Sequence, residues 1–297
     1  MSDLERRAKR IVPEPVKSGL KHAIRVYGTS TAFWRPMPDF LVLGTKRGGS
    51  TSAWRYLKQH PQVMPMVAAW ENLKSPHYFY WHYGRGRAWY RGHFPSRPAR
   101  RRAARRAGGP VVTGEASPYY LFNRYVPGRV AWDIPDGRFV VLLRDPVKRA
   151  YSHYWERVDN GVEPLTFEQA LLAEPSRLEG EAGRMEADPL YYSRPHDWYT
   201  YRERGVYAPQ LRRWFDAVGR ERVLVRISEE LYADPQPVMD SIFDFLGIAR
   251  WEVPRFTRHN HRPAEPMDPR VEAELREYYR PHNADLAGLL GRELPWG

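Results

Sequence analysis

The chain has 297 residues, 42% of them apolar and 14% aromatic, enough to bury a sizeable core in one large α/β domain or two small ones. Its net charge of +12 points to an anionic ligand, substrate or surface. The absence of cysteine excludes disulfides, thiolate metal sites and cysteine nucleophiles.

Residues 1–36 are basic and partly helical in pattern, and they end in the turn-like stretch "RPMPD". They lack the apolar core of a signal peptide, and no run approaches the roughly 20 apolar residues that span a bilayer, so a cytoplasmic location is expected. Two readings stay open for this arm: packing against the domain, or lying flat on an anionic membrane as a peripheral contact. Residues 37–297 read as a single domain without internal repeats or a clear linker.

The stretch "FLVLGTKRGGSTSAWRYL" from Phe40 opens with a short apolar run of the kind expected for a buried parallel strand. Glycines at 44, 48 and 49 let the following backbone curl so that successive N–H groups face one anion. A helix starting near Ser50 adds its positive end, and Ser50, Thr51 and Ser52 add hydroxyl donors at its mouth. A nucleotide-kinase loop would want Lys where Ser50 stands. Here the cations, Lys46 and Arg47, lie inside the loop.

The stretch "RPARRRAARRAGG" from Arg97 carries six arginines in ten positions. It reads as a solvated or disordered insertion, with a patch for an acidic acceptor or a membrane as the sharper alternative. No helix-turn-helix, zinc or RNA-platform signature accompanies the charge, so no specific nucleic acid is expected as partner.

A second apolar run, Phe139–Leu143, is followed by Arg144, by Asp145 as a helix cap and by Pro146 in the first turn. Val147, Ala150, Tyr151 and Tyr154 then recur at helical spacing as a buried face. Arg144 thus stands at the carboxyl edge of a strand, where open α/β sheets bind ligands, and Ser152 can add a hydroxyl to the same anion. A third run, residues 222–227, is expected to be another strand. The alternation of strands and helices predicts an α/β fold, a parallel sheet flanked by helices.

Taken together, "GTKRGGST" and "RDPVKRAYS" resemble the two signature stretches of sulfotransferases that use 3′-phosphoadenosine 5′-phosphosulfate, the carbohydrate branch above all. "KSPHYF", "GEASPYYLF" and "RGVYAPQLRRWF" add to that likeness, which runs from about residue 38 to 248. The resemblance implies a P-loop-like sheet and the phosphosulfate nucleotide as co-substrate, with no metal. It implies a 5′-phosphosulfate site at Lys46, Arg47, Gly48, Gly49, Ser50, Thr51 and Ser52, a 3′-phosphate site at Arg144 and Ser152, and Tyr207 as a further residue that binds the nucleotide. It further implies a glycan, glycolipid or secondary-metabolite acceptor.

The chain departs from that pattern at two places. The family's catalytic lysine falls on Arg47, with Lys46 just before it, and both are carried as candidates; an arginine holds phosphate by a planar fork but gives up a proton far less readily. The family's general base, a Glu, falls on Ser75, and a second carboxylate position falls on Tyr80. The role is therefore assigned to His77, whose imidazole is neutral near pH 7, with Glu115 second and Glu71 third. The segment after Phe256, rich in Arg, His and Asn, is expected to close over the nucleotide. Two alternatives remain, a P-loop kinase or NTPase and a catalytically inactive anion-binding relative.

Overall fold

A computed structural model describes residues 14–67, 73–256 and 265–296, with side chains from residue 19 onward. In chain order the elements are α1 (Glu14–Ser30), β1 (Phe40–Gly44), α2 (Ser50–Leu57), β2 (Val63–Met64), α3 (Gly86–Arg91), α4 (Arg97–Ala107), β3 (Val112–Ala116), α5 (Val126–Asp133) and β4 (Arg138–Leu143). There follow α6 (Pro146–Asp159), α7 (Phe167–Leu178), α8 (Glu181–Ala187), α9 (Arg194–Trp198), α10 (Tyr207–Val218), β5 (Val223–Ile227), α11 (Ser228–Ala233), α12 (Pro235–Leu246) and α13 (Pro269–Leu290).

The five strands form one parallel sheet in the order β2-β3-β1-β4-β5. Alternate residues of β1 serve two cores, as a strand covered on both faces requires. Leu41 and Leu43 pack with α5 and α10 and with aromatic residues between Tyr78 and Phe94. Phe40 and Val42 pack instead with Trp54 and Leu57 of α2 and with Val238, Ile242 and Phe243 of α12. A third cluster joins α6, α7 and α13 through Val147, Ala150, Phe167, Leu275 and Tyr279. The parallel sheet flanked by helices is the architecture read from the strand-helix alternation.

The loop into α2 depends on glycine at two positions. Gly49 caps the helix with φ of 84°, a backbone that side chains with a Cβ disfavour. A Cβ on Gly48 would lie 2.8 Å from the Leu142 carbonyl and 2.4 Å from Thr45 Cγ2, so the turn can approach β4 only without one. Asp145 caps α6 as expected, its side chain accepting from the backbone N–H groups of Val147 and Lys148.

The arginine-rich segment differs from its expectation, for it is the helix α4 rather than a disordered insertion. Alanine and arginine are strong helix formers, Pro98 suits the first turn, and Gly108 ends the helix in the left-handed conformation.

Candidate active site

Among the described residues only Arg47 (φ 65°) and His77 (φ 54°) hold a left-handed backbone without being glycine. Such conformations cost on the order of 1–3 kcal/mol and cluster at functional sites. Both residues had been singled out from the sequence for chemistry.

Arg47 lies in the turn between β1 and α2. Its Nε donates to Ser152 Oγ at 2.9 Å, and its carbonyl accepts from Arg144 Nη1 at 3.1 Å. Arg47, Arg144 and Ser152, joined by Lys148 and Tyr151, line one cavity of about 270 Å³. The loop, the end of β4 and the second turn of α6 thus converge, and the predicted pair Arg144 and Ser152 meets the predicted loop. The Ser228 hydroxyl donates to the Gly48 carbonyl and anchors the turn from β5's side.

Tyr207 stands differently from its assignment as a direct binder. It is buried, and its hydroxyl donates to the Arg144 carbonyl at 2.9 Å. That bond ties its ring to the backbone of Arg144.

Lys46 precedes Arg47 in the turn. It is buried, with Nζ 3.9 Å from Glu156 Oε2. Burial pushes its pKa down to about 8, with Glu156 and Asp197 opposing and Arg204 and Arg157 adding to the fall. A second lysine, to which the sequence reading gave no role, completes the loop. Lys74 Nζ donates to Thr51 Oγ1 at 3.0 Å and to Ser50 Oγ at 3.4 Å, so it stands at the amino end of α2. Burial depresses it to about 8 as well. Its signal in the sequence was its place at the head of "KSPHYF" in a chain with only seven lysines.

Lys74 leads directly to the candidate bases. The backbone N–H of His77 donates to Ser75 Oγ at 2.9 Å, which helps hold the turned backbone. His77 Nδ1 and the Tyr80 hydroxyl share a hydrogen bond of 2.9 Å. Burial holds the imidazole below its ordinary value, with His82 and Lys74 adding to the depression and Asp197 opposing it. His77 and Ser75 line a larger cavity of about 600 Å³, walled also by Arg25 and Val26 of α1 and by His82, Trp89 and His93.

Glu115, at the end of β3, lies behind Ser75 and is completely buried. Its Oε1 accepts from the hydroxyls of Tyr90 at 2.7 Å and Tyr120 at 2.9 Å. Oε2 has no partner at hydrogen-bond geometry among the described residues. Burial pushes the carboxyl up to about 7, against the hydroxyls of Ser75, Tyr90 and Tyr120. Glu71 and the segment 257–264 lie outside the described residues.

A carboxylate that the sequence reading missed faces the same region. Asp197, on α9, accepts from Arg204 Nη2 at 3.1 Å and from the Tyr192 hydroxyl at 2.8 Å. Burial raises its pKa, yet Lys46, Arg204 and Tyr192 together outweigh that and hold the carboxyl below its usual range. It is therefore ionised and acts electrostatically on Lys46 and His77. Among the described residues no group of three or more His, Asp or Glu is arranged to hold a metal ion.

The sequence model of the sulfotransferase domain matches residues 37–261. The chain belongs to the sulfotransferase domain family. A sulfotransferase from Alicyclobacillus acidocaldarius, known by its crystal structure, is 31% identical and superposes with a TM-score of 0.61, covering 86% of this chain and 97% of that one. Human heparan sulfate glucosamine 3-O-sulfotransferase 3B1 is 25% identical over 88% of this chain and 65% of its own length. Human heparan sulfate glucosamine 3-O-sulfotransferase 6 is 27% identical over 89% of this chain and 75% of its own. This sulfotransferase-family chain thus spans about two thirds of the curated relatives it matches. Membership of the family supports an enzyme with the sulfotransferase fold, and it agrees with the resemblance drawn from the two signature stretches.

Proposed function

We propose that the protein transfers the sulfuryl group of 3′-phosphoadenosine 5′-phosphosulfate to a hydroxyl or amine of a glycan, glycolipid or other small acceptor. The observation that carries this reading is the convergence of Arg47, Arg144 and Ser152 on one cavity beside a glycine-built turn at the start of a helix. The Arg144 guanidinium and the Ser152 hydroxyl suit a phosphate at one end of that space. The amino end of α2, with Ser50, Thr51, Ser52 and Lys74, suits a second. A nucleotide with phosphate groups at two separate positions would use both donor sets, and no lysine stands at Ser50 for a polyphosphate tail. That is the point on which the kinase reading loses ground.

In the proposed reaction the acceptor atom attacks sulfur as the bond from sulfur to the phosphate oxygen breaks. Negative charge grows on that oxygen, and the acceptor's proton passes to a base on the protein. Arg47, in the turn between Arg144 and the amino end of α2, is assigned to meet that growing charge. His77 is neutral in the working range and accepts the proton, while Asp197 stabilises the imidazolium that forms. Lys46 works one layer inside, keeping Asp197 ionised. The half-exposed ring of Trp81, stacked on Tyr192 with centroids 4.9 Å apart and lying near His77, offers an apolar surface for a sugar ring.

Calorimetry with adenosine 3′,5′-bisphosphate, with and without Mg²⁺, tests the nucleotide half. Tight binding independent of Mg²⁺ is the expected result, and preference for ATP with Mg²⁺ would overturn it. Transfer of radiolabelled sulfate to polysaccharide and lipid extracts tests the acceptor half, and binding without any turnover would favour an inactive anion-binding protein.

A further inference from the structure

Five of the nine large hydrophobic side chains exposed among the described residues fall between residues 20 and 34: Leu20, Val26, Tyr27, Phe33 and Trp34. Leu20, Ala23, Ile24 and Tyr27 recur at helical spacing along α1, which gives the helix an apolar outer stripe. The helix is fixed to the domain along the neighbouring side, which carries Gly28 and the half-buried Ile24, Arg25 and Thr29. Gly28 meets Gly92 backbone to backbone, so closely that a Cβ on Gly28 would lie 2.4 Å from the Gly92 carbonyl oxygen. The outward direction of the stripe is therefore set by packing.

The turn after α1 presents Phe33 and Trp34 side by side, with ring centroids 5.2 Å apart and more than half of each side chain exposed. Arginines hold this turn from beneath. Arg35 is buried and donates to the Phe94 carbonyl at 2.6 Å, while Arg91 and Arg97 donate to the Phe33 carbonyl at 3.2 and 3.4 Å. Arg97 begins α4, and Arg101 and Arg105 follow it at successive four-residue steps on the exposed side. No carboxylate occurs within α4, and none occurs between Pro15 and Pro38. The apolar ridge is thus bordered by the exposed Arg97, Arg101 and Arg105, while Arg100 on the inner side of α4 pairs with Asp39 at 2.7 Å.

We propose that this face, the outer stripe of α1 with Phe33, Trp34 and the Arg97–Arg101–Arg105 row, is a docking surface for an anionic lipid membrane. Exposed aromatic rings at a fixed turn settle at the headgroup boundary, and a row of arginines beside them draws in anionic lipids. A soluble acidic polymer would engage the arginines but leaves two large exposed rings without purpose. A protein partner would more often meet a patch with mixed charge at its rim. The proposal stands independently of the reaction assigned to the site. It also unites the two readings of the arm, since α1 packs on the domain by one side and meets lipid by the other.

The test is flotation of the full chain with phosphatidylcholine vesicles and with vesicles that also contain phosphatidylglycerol. Binding is expected only to the anionic vesicles and should weaken as salt rises. The double variant Phe33→Ser/Trp34→Ser should lower the apparent affinity by about tenfold or more, since each exposed ring contributes buried apolar area at the interface. Arg101→Glu/Arg105→Glu should abolish the preference for anionic lipid. Both variants change exposed side chains, and unchanged circular dichroism and bisphosphate binding serve as the folding control. No flotation of the wild type at low salt, or unchanged flotation of the aromatic variant, overturns the proposal. Concentration-dependent dimers that the aromatic variant dissolves, without vesicle binding, would instead assign the face to a second copy of the chain.

Discussion

The guanidinium of Arg47 and the hydroxyl of Ser152 lie in direct contact, Nε to Oγ at 2.9 Å, and join the turn after β1 to the second turn of α6. The two residues are separated by 105 positions in the chain. Their meeting brings the loop's cation and a hydroxyl of α6 to one cavity, which neither stretch alone required.

Arg144 stands at the edge of β4 with its backbone held by Tyr207. Arg144→Ala should weaken binding of adenosine 3′,5′-bisphosphate by about 2–3 kcal/mol, through loss of charge-assisted bonds to one phosphate. Tyr207→Phe keeps the ring and removes only the hydroxyl that fixes the Arg144 carbonyl, so its loss should be smaller. Calorimetry on both variants checks the order, and equal losses would give Tyr207 a direct contact.

Arg47→Ala should lower turnover far more than it lowers bisphosphate affinity, because its interaction strengthens as charge develops on the leaving oxygen. Lys46→Ala should act differently. It removes the buried cation facing Glu156 and Asp197, so a loss of stability accompanies its loss of activity. Single-turnover rates and thermal unfolding, measured together on the two variants, separate these effects. A larger turnover loss in Lys46→Ala with stability kept would exchange the two roles.

Lys46 and Lys74 both titrate near pH 8 in the free protein, depressed by burial. An anion beside Lys74 favours its charged form and lifts that pKa. Binding of the bisphosphate near pH 8 to 9 should therefore take up protons, and affinity should fall as pH rises through this range. Calorimetry at one pH in buffers of different ionisation enthalpy measures the uptake directly. Lys74→Ala should remove most of it, and unchanged uptake in that variant would locate the titrating group elsewhere.

The two candidate bases differ in their titration. His77 lies below its ordinary value of 6.5, whereas Glu115 lies near 7. If His77 accepts the proton, the acid limb of the kcat profile should fall below pH 6.5. His77→Ala should then cut turnover by about 10²–10⁴-fold with bisphosphate affinity kept. If the limb stands near 7 and collapses in Glu115→Gln, the base is Glu115. Glu115 also affects stability with a definite sign. Its folded pKa is raised, so its contribution is full below the unfolded value near 4.5 and is lost as pH rises toward 7. Glu115→Gln should thus gain stability relative to the wild type between pH 5 and 8, a trend that urea unfolding at both ends reads.

The loop and the Arg144–Ser152 pair were legible because their chemistry is local: a strand, a turn and a helix start within a dozen residues, with the donors inside that window. Asp197 was not legible. It sits on the five-residue helix α9, too short for periodicity to speak, and reaches Lys46 only through the fold. Glu115 was legible as a candidate but not as a neighbour of Ser75, since the end of β3 meets that segment only in the fold, where the Ala116 N–H donates to the Lys74 carbonyl. In α4 the helix signals were present in Pro98, the alanines and Gly108, and the weight of charge obscured them. That Lys46 is buried while Arg47, left-handed in backbone, stays partly exposed is announced by no spacing rule.

The contact between Gly28 and Gly92 gives the two positions a shared fate. A Cβ on Gly28 would meet the Gly92 backbone at 2.4 Å, and one on Gly92 would meet the Gly28 backbone at 2.8 Å, so a methyl on either side acts as a wedge. Because α1 walls the cavity beside His77 as well as presenting its outer stripe, that wedge would alter both at once. A change too small to disturb the core would reach the cavity beside His77 and the outer surface together. The pair of glycines is the hinge pin on which the inside and the outside of this protein turn in step.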